Sequence, residues 1–257
     1  MDTYGDVTVD IQDSIALVEI CRPPHNYFDE GLITDLVHVF TELDNSPKCL
    51  ASVLASKGKS FCAGADFSTT GTPQETSEGV GRLYQQATQL FKIQKPVICA
   101  IEGATIGGGL GLALFPDFRV SCPESRFAAN FTKVGTHPGF GLTFTLPRLI
   151  GVQKAALLLL TGRRIDGTTA HDWGLIDILA EKDRVRATAL DLAIEIAENA
   201  PLAVKSTRAT LRDSLSDSVK KHIRRELEEQ TWLFSTADFA EGLLAVSERR
   251  KGNFQSR

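Results

Sequence analysis

The sequence has no excess of basic residues and no long apolar run, and both absences narrow the class of protein. Its 28 lysines and arginines stand against 32 aspartates and glutamates, for a net charge of −4, whereas a nucleic-acid-binding surface is usually basic. No run approaches the roughly 18 apolar residues of a membrane-spanning helix, and the first residues lack the basic and apolar parts of a signal peptide. We therefore expect no nucleic acid partner, no membrane partner and a cytoplasmic location.

The sequence also lacks the usual patterns of metal and nucleotide sites. Its five cysteines are odd in number and have no metal-ligand spacing, which favours reduced thiols and no metal. The segment 58–60 reads Gly-Lys-Ser, but Val53 stands where a P-loop needs its first glycine, and the glycines of 107–111 do not fit G-x-G-x-x-G. We expect no cofactor.

What the chain does contain is a mixture of strand and helix patterns. A length of 257 residues is enough for one substantial core with an appended smaller unit. Alternating apolar residues predict a hairpin in the first 20 residues, and apolar residues at helical spacing predict a helix from about Asp29. Further short strands are predicted at Leu50–Ala55, Pro96–Ile101, Phe118–Ser121, Arg126–Ala128 and near Ile176–Leu179.

Helices are predicted to dominate the second half of the chain. Apolar spacing favours them from Leu142 onwards, and the segment 216–250 is predicted to be charged and helical. Ser68–Ser77 has no periodicity and is predicted to be a mobile loop beside a pocket.

Two glycine-rich segments, Lys59–Phe67 and Glu102–Gly111, each follow a strand-like run. Small residues allow a ligand to approach the backbone closely and leave N–H groups free to point at it. Two such groups aimed at one oxygen form an oxyanion hole. The second segment is also predicted to begin a helix within its three consecutive glycines.

These segments resemble those of the crotonase (enoyl-CoA hydratase/isomerase) superfamily. Phe-Cys-Ala-Gly-Ala-Asp at 61–66 and Gly-Ala-Thr-Ile-Gly-Gly-Gly at 103–109 carry the resemblance, and further matches in family order cover nearly the whole chain. The resemblance implies an α/β fold, a spiral of β-β-α units over residues 1–195, with a C-terminal helical oligomerisation region at 196–257. It implies an acyl-CoA partner, with coenzyme A as part of the substrate, and a homo-trimer or hexamer.

The resemblance also implies roles for individual residues. The backbone N–H groups of Ala63 and Gly108 are expected to hold the thioester oxygen. Coenzyme A is expected to contact residues of the first loop and of both ends of the chain, namely Arg22, Ala63, Gly64, Ala65, Asp66, Phe67, Lys251 and Phe254.

The acids of the family are missing. Hydratases of this family use two carboxylates, and a third position carries an acid in some relatives; here these three positions are Gly111, Phe131 and Gly139. Phe131 is instead expected to line the acyl pocket. His137, whose imidazole can exchange protons near neutral pH, and Asp66 are the candidate replacements; each has a purely structural alternative, a backbone-bonded histidine and a loop-bracing aspartate.

We therefore expect an acyl-CoA-processing enzyme of the enoyl-CoA hydratase/isomerase family that stabilises a thioester enolate. Without the usual glutamates, its exact reaction stays open between lyase and isomerase chemistry. The alternative is a non-catalytic CoA-binding or scaffold protein of the same fold.

Overall fold

The computed structural model describes residues 1–65 and 71–257. Its strands are β1 (Asp2–Tyr4), β2 (Val7–Gln12), β3 (Ile15–Ile20), β4 (Ala51–Ser56), β5 (Ser60–Cys62), β6 (Val97–Ile101), β7 (Ala104–Ile106), β8 (Phe118–Ser121), β9 (Arg126–Ala128), β10 (Arg164–Asp166) and β11 (Ile178–Leu179). Its helices are α1 (Glu30–Asn45), α2 (Pro73–Leu90), α3 (Gly108–Leu112), α4 (Phe131–Val134), α5 (Leu142–Ile150), α6 (Val152–Thr161), α7 (Gly167–Asp172), α8 (Val185–Ala197), α9 (Pro201–Leu211), α10 (Leu215–Leu233) and α11 (Ala237–Ser247).

The strands form two sheets. The larger has the order β1-β2-β3-β4-β6-β8-β11 and the smaller has the order β10-β9-β7-β5. Three successive strand–strand–helix units link them: β4-β5-α2, β6-β7-α3 and β8-β9-α4. In each unit the first strand joins the larger sheet and the second joins the smaller one, and equivalent strands lie parallel. This confirms the predicted α/β spiral of β-β-α units.

The middle strands of the larger sheet are buried on both faces. Every residue of β4 and β6 is buried, because the main core covers one face and α8 packs Val185, Ala189 and Ala193 against the other. A strand enclosed in this way is apolar throughout rather than alternating. The sequences Ala-Ser-Val-Leu-Ala-Ser and Val-Ile-Cys-Ala-Ile fit that environment.

Several local predictions are confirmed. β2 and β3 pair antiparallel around Asp13 and Ser14. Helix α1 begins after Asp29, whose carboxylate accepts the Leu32 N–H at 2.8 Å. Strands β8 and β9 have the predicted bounds.

The prediction of a loop over Ser68–Ser77 is wrong from residue 73 onwards, while residues 66–70 lie outside the described ranges. Helix α2 begins at Pro73 because Thr72 and Glu75 form a capping box: the Thr72 hydroxyl accepts the Glu75 N–H, and the Glu75 carboxylate accepts the Thr72 N–H at 2.7 Å. This pattern of Thr-x-x-Glu with proline at the first helical position is a helix-start signal.

The apolar pattern does not predict strands β5, β7 and β10. Each has only three residues, too few to show an alternating pattern. The segment 216–250 is two helices, α10 and α11, because Thr236 caps a new helix by accepting the Phe239 N–H. No described helix is long and apolar enough to cross a lipid bilayer.

Candidate active site

The two glycine-rich segments meet because β5 and β7 are parallel neighbours in the smaller sheet. Gly64 has a φ of +100°, and a β-carbon there would lie 3.0 Å from Ile106 O and 3.6 Å from Gly108 N. A β-carbon at Gly109 would overlap Cys62 O. The loops therefore approach this closely only because these positions are glycine.

The meeting point presents unpaired backbone N–H groups. Gly108 is the first residue of α3, and no hydrogen bond joins its N–H to another described residue. The same holds for the Ala65 N–H within the described ranges. The Ala63 N–H, by contrast, donates to His25 O at 2.9 Å, so it would have to give up that bond to hold a ligand.

A cavity of about 900 Å³ opens beside these amides. Its walls are backbone from both loops and side chains from α2, α4, α10 and α11. The apolar lining consists of Phe28, Val80, Leu83, Phe131, Val134, Phe140, Phe234, Leu243, Leu244 and Val246. The polar lining consists of His25, Tyr27, Tyr84, Asn130, Thr136, Gln230, Ser247 and Arg249. Among the described lining residues there is no carboxylate.

Two of the three positions discussed above as acid sites have no room for a side chain. A β-carbon at Gly111 would lie 2.6 Å from Phe140 Cβ. A β-carbon at Gly139 would overlap Tyr84 Oη and lie 2.8 Å from Gln230 Nε2. Aromatic side chains thus occupy the space that acids at 111 and 139 would use, and the third position, Phe131, lies half-buried in the cavity wall.

A buried carboxylate lies behind this wall rather than in it. Glu226, on α10, is fully buried and accepts the Gly141 N–H at 2.7 Å, the Thr143 N–H at 2.9 Å and the Thr143 hydroxyl at 2.5 Å. It therefore caps α5, which has no capping side chain of its own. Burial raises the pKa of the Glu226 carboxyl, and the hydrogen bonds from Thr143 and Gly141 offset part of that rise.

His137 lies next to this buried carboxylate. It is half-buried, its Nδ1 is 2.7 Å from Pro138 O, and its own carbonyl accepts the Gln230 side-chain amide at 2.8 Å. His137 is close enough to Glu226 to interact with its charge, and it does not itself line the cavity. To act on a ligand it would have to turn or work through a neighbour.

Of the described residues predicted to contact coenzyme A, only those of the first glycine loop line the cavity. Ala63, Gly64 and Ala65 line the cavity, whereas Asp66 and Phe67 lie outside the described residues. Arg22 bonds to Asp6 at 2.5 Å and to Asp29 at 2.9 Å. Lys251 and Phe254 are exposed near the C-terminus and do not line the cavity.

The polar lining residues that sequence reasoning missed come from distant segments and include Tyr84, Asn130, Thr136, Gln230 and Arg249. Tyr84 and Gln230 are 146 residues apart and share a hydrogen bond of 3.0 Å. No spacing along the sequence signals such a pair.

A second cavity, of about 590 Å³, lies away from both glycine loops and is lined partly by Asp117, Arg208 and Arg212. Asp117 accepts bonds from both arginines, at 2.8 and 2.9 Å. Burial lowers the pKa of Arg212 to about 10. These charges are paired with one another, so we assign the functional site to the larger cavity, where the N–H groups of Gly108 and Ala65 have no partner among the described residues.

Comparison with known proteins gives the same family over nearly the whole chain. The family profile described as Enoyl-CoA hydratase/isomerase matches residues 10–257. A short-chain-enoyl-CoA hydratase of Clostridium acetobutylicum is 32% identical over 252 residues, covering 96% of each chain. A 1,2-epoxyphenylacetyl-CoA isomerase of Escherichia coli is 28% identical, covering 95% of this chain and 96% of the relative.

A solved structure of similar fold is the enoyl-CoA hydratase/isomerase of Pseudoalteromonas atlantica. It has a TM-score of 0.84, is 27% identical, and the match covers 97% of this chain and all of the other. With the strand–strand–helix spiral and the paired glycine loops, these matches show that the protein is an enzyme of the enoyl-CoA hydratase/isomerase family in the crotonase superfamily.

Proposed function

We propose that the cavity binds an acyl-CoA thioester with its carbonyl oxygen between the N–H groups of Gly108 and Ala65, and that the enzyme acts through the thioester enolate. The observation that carries this proposal is the contact between the two glycine loops, since Gly108 and Ala65, whose N–H groups have no partner in residues 1–65 and 71–257, both line one cavity. Preorganised donors of this kind are worth about 10²–10³-fold in rate each. Ala63, the donor predicted from the sequence, keeps its bond to His25 O.

The proposed reaction is not efficient hydration of simple straight-chain enoyl-CoA. Water addition needs a group that activates water and a group that handles the proton at the α-carbon. The family positions for these acids are Gly111, Phe131 and Gly139, and the first and last are sterically closed. Relatives with different names, a hydratase and an epoxide isomerase, support a family in which one fold serves several reactions.

His137 and Asp66 remain the proposed proton-transfer residues. For His137, the support is its place in the chain directly after Thr136, which lines the cavity, and its interaction with the charge of Glu226. For Asp66, the support is its place in the chain, directly after Ala65. We propose no cofactor other than the coenzyme A of the substrate.

The coenzyme A moiety is proposed to contact the first glycine loop, Arg22, Lys251 and Phe254. Arg249, which lines the cavity and has no ion pair with a described residue, is a further cation available to its phosphates. We propose that the enzyme assembles as a homo-trimer or hexamer, which would allow the C-terminal segment of one subunit to reach the coenzyme A of another.

The test is to incubate the purified protein with straight, branched, aromatic and alicyclic acyl-CoA thioesters and to follow products by chromatography with mass detection. Gain of water, loss of carbon dioxide, release of free CoA, or altered retention at constant mass each identifies a reaction class. We expect conversion of at least one thioester and slow hydration of crotonyl-CoA. Fast hydration of crotonyl-CoA would contradict the proposed role of the closed acid positions.

The same assay tests the two proton-transfer residues. We expect His137→Ala or Asp66→Asn to lower turnover by about 10²–10⁴-fold if that residue transfers a proton. Unchanged turnover in both variants would remove both residues from the mechanism.

A further inference from the structure

Several polar side chains of the cavity wall are not available to a ligand. Those bonded within the protein are Tyr84, Gln230 and Ser247, and the Thr136 hydroxyl oxygen is fully buried. Asn130 differs from them, because no described residue forms a hydrogen bond with its side-chain amide. It is half-buried, and neither its amide nitrogen nor its oxygen is among the fully buried unpaired atoms of the described chain. Both atoms are therefore accessible to a ligand in the cavity that Asn130 lines.

Asn130 reaches the cavity from the end of strand β9. This strand pairs with β7, with Ala128 opposite Ile106, and the Gly107 N–H continues the pairing by donating to Ala128 O at 2.8 Å. Asn130 follows two residues later, as the N-cap of α4. An asparagine at this position ordinarily accepts an N–H of its own helix, but Asn130 forms no such bond. Its amide is thus left for another partner.

The Asn130 amide lies close to the N–H group that is proposed to hold the thioester. A β-carbon on Gly107 would be 3.3 Å from Asn130 Oδ1, so the glycine leaves that space open. Gly107 directly precedes Gly108, and bond lengths put the Asn130 oxygen at most about 8 Å from the Gly108 nitrogen. Each hydrogen bond takes up about 2.9 Å. The remaining distance fits a ligand that carries two oxygens a few bonds apart.

The free amide can offer a donor to such an oxygen. Asparagine carries both a donor and an acceptor, and the torsion that exchanges them has two broad minima. Since no described residue holds either atom, the Asn130 N–H can turn toward a bound oxygen. The described lining of the cavity has no carboxylate, so an oxygen that gains negative charge meets no opposing charge there.

We propose that Asn130 is a specificity-determining residue that binds a carbonyl oxygen on the third carbon of the acyl chain, so that the substrate class is a 3-oxoacyl-CoA. The thioester oxygen bonds to the N–H groups of Gly108 and Ala65, and the second carbonyl oxygen accepts an N–H of Asn130. This inference rests on the proposed function, because the thioester fixes the position of the chain at Gly108.

This substrate class agrees with the chemistry that the site has available. A carbon between two carbonyl groups loses its proton more readily than a carbon beside one, because the enolate charge is shared by two oxygens. The proton passes to the proton-transfer residue of the proposed function, and the electron pair of the broken C–H bond becomes the enolate. Donors at both oxygens stabilise this charge. A site without the glutamates of its family then needs only a weak base.

The experiment is calorimetric titration of the purified protein with matched pairs of thioesters, acetoacetyl-CoA against butyryl-CoA and the corresponding six-carbon pair, with free CoA as reference. Ultraviolet difference spectra record the enolate of the bound 3-oxoacyl thioester. A hydrogen bond to a charged group corresponds to about 10- to 100-fold in affinity. We expect the 3-oxoacyl member of at least one pair to bind about tenfold or more tightly than its saturated partner, with enolate absorption.

Two variants assign the effect to one side chain. Asn130→Leu keeps the approximate shape and removes both polar atoms, whereas Asn130→Asp replaces the N–H donor with a carboxylate that repels the enolate. Each is expected to lower the preference and the enolate absorption about tenfold, with affinities for the saturated thioester and CoA within about twofold of wild type. Asn45→Leu is the control, because the Asn45 amide bonds to Thr41 O at 3.0 Å on an exposed part of α1. Thermal unfolding of each variant checks folding.

The outcomes separate this inference from the proposed function. If the thioesters bind but 3-oxoacyl and saturated members have equal affinity, the assignment of Asn130 is wrong and the proposed function stands. If the preference survives in a folded Asn130→Leu or Asn130→Asp variant, the second oxygen is bound elsewhere and the assignment is again wrong. If the protein neither binds nor converts any thioester, both proposals fail.

Discussion

Single residues decide the chemistry that this enzyme has available. A carboxylate side chain at Gly111 or Gly139 would have no room, because Phe140 and Tyr84 fill the space into which it would point. Protein interiors are close-packed, so an inserted side chain requires its neighbours to move. The aromatic side chains and the two glycines therefore define the cavity together.

The first prediction concerns restoration of an acid. We expect Gly111→Glu to lose about 1–3 kcal/mol of stability through overpacking against Phe140 and to gain no hydration of crotonyl-CoA. Urea unfolding and the hydration assay measure the two effects. Gly79→Ala is the control: Gly79 lies in α2, and a β-carbon there meets only the end of the Arg82 side chain, at 3.9 Å. It should raise stability by about 0.5–1 kcal/mol. A Gly111→Glu variant that is stable and hydrates crotonyl-CoA would contradict this prediction, because Phe140 would then have moved to admit the carboxylate.

At the scale of elements, α10 organises the closed side of the cavity. It supplies Gln230 to the wall, packs against α2, and holds α5 in place through the Glu226 carboxyl. The turn between α4 and α5 contains Phe140 with a φ of +59° and Gly141 with a φ of +77°, and Glu226 accepts N–H groups at its end. A helix distant in sequence thus fixes the conformation of the turn that carries Phe140.

The second prediction follows from the raised pKa of Glu226. A carboxyl whose pKa is higher in the folded state binds its proton more tightly when folded, so its contribution to stability is complete below the unfolded pKa, near 4.5, and is lost as pH rises through the folded pKa. We expect the free energy of unfolding of the wild type, relative to Glu226→Gln, to fall as pH rises above about 4.5.

Urea unfolding of both proteins at a series of pH values provides the measurement. Subtracting one curve from the other removes the titration of other groups. Glu181→Gln, at an exposed position, is the control for the substitution itself. A difference for Glu226→Gln that rises with pH would mean that the hydrogen bonds from Thr143 and Gly141 outweigh burial.

At the scale of the whole molecule, an apolar stripe on α6 is left uncovered. Val152, Ala156 and Leu160 follow one another at intervals of four residues, and Val152 and Leu160 are 70% and 76% exposed. Residues at this spacing lie on one face of a helix. Exposed apolar faces of this kind mark contact surfaces, and the homo-trimer or hexamer proposed above would cover this one.

The third prediction tests that assembly. We expect light scattering to give a mass three or six times that of the chain, and Leu160→Glu to raise the dissociation constant at least tenfold, because burying a leucine contributes about 1.5–3 kcal/mol per copy. Gln153→Glu adds the same charge at an exposed polar position of α6 and should leave the mass unchanged. A monomeric wild type would contradict the assembly. An unchanged mass for Leu160→Glu would place the interface on another face.

The fold and the family follow from the sequence because they depend on local signals. Alternation defines β2 and β3, Asp29 begins α1, and the two glycine loops lie in family order along one chain. Even the start of α2 at Thr72 is encoded, since Thr-x-x-Glu with proline is a capping pattern. Strands of three residues, such as β5 and β7, are too short to show a period and depend on their partners.

The residues of the cavity wall could not be predicted from such local signals. The Tyr84 hydroxyl donates to Gln230, which lies 146 residues later in the sequence. Phe140 fills the space beside Gly111, and the carbonyl of His25 accepts the Ala63 N–H. Each contact arises where separate helices and loops pack together, and no propensity or spacing encodes it. The sequence by itself determined the spiral, the paired glycine loops and the absence of acids at 111, 131 and 139. Only the tertiary structure decided which loop amides bond to other described residues, what fills the acid positions and which polar groups line the cavity, because these properties depend on residues brought together by packing rather than by order along the chain.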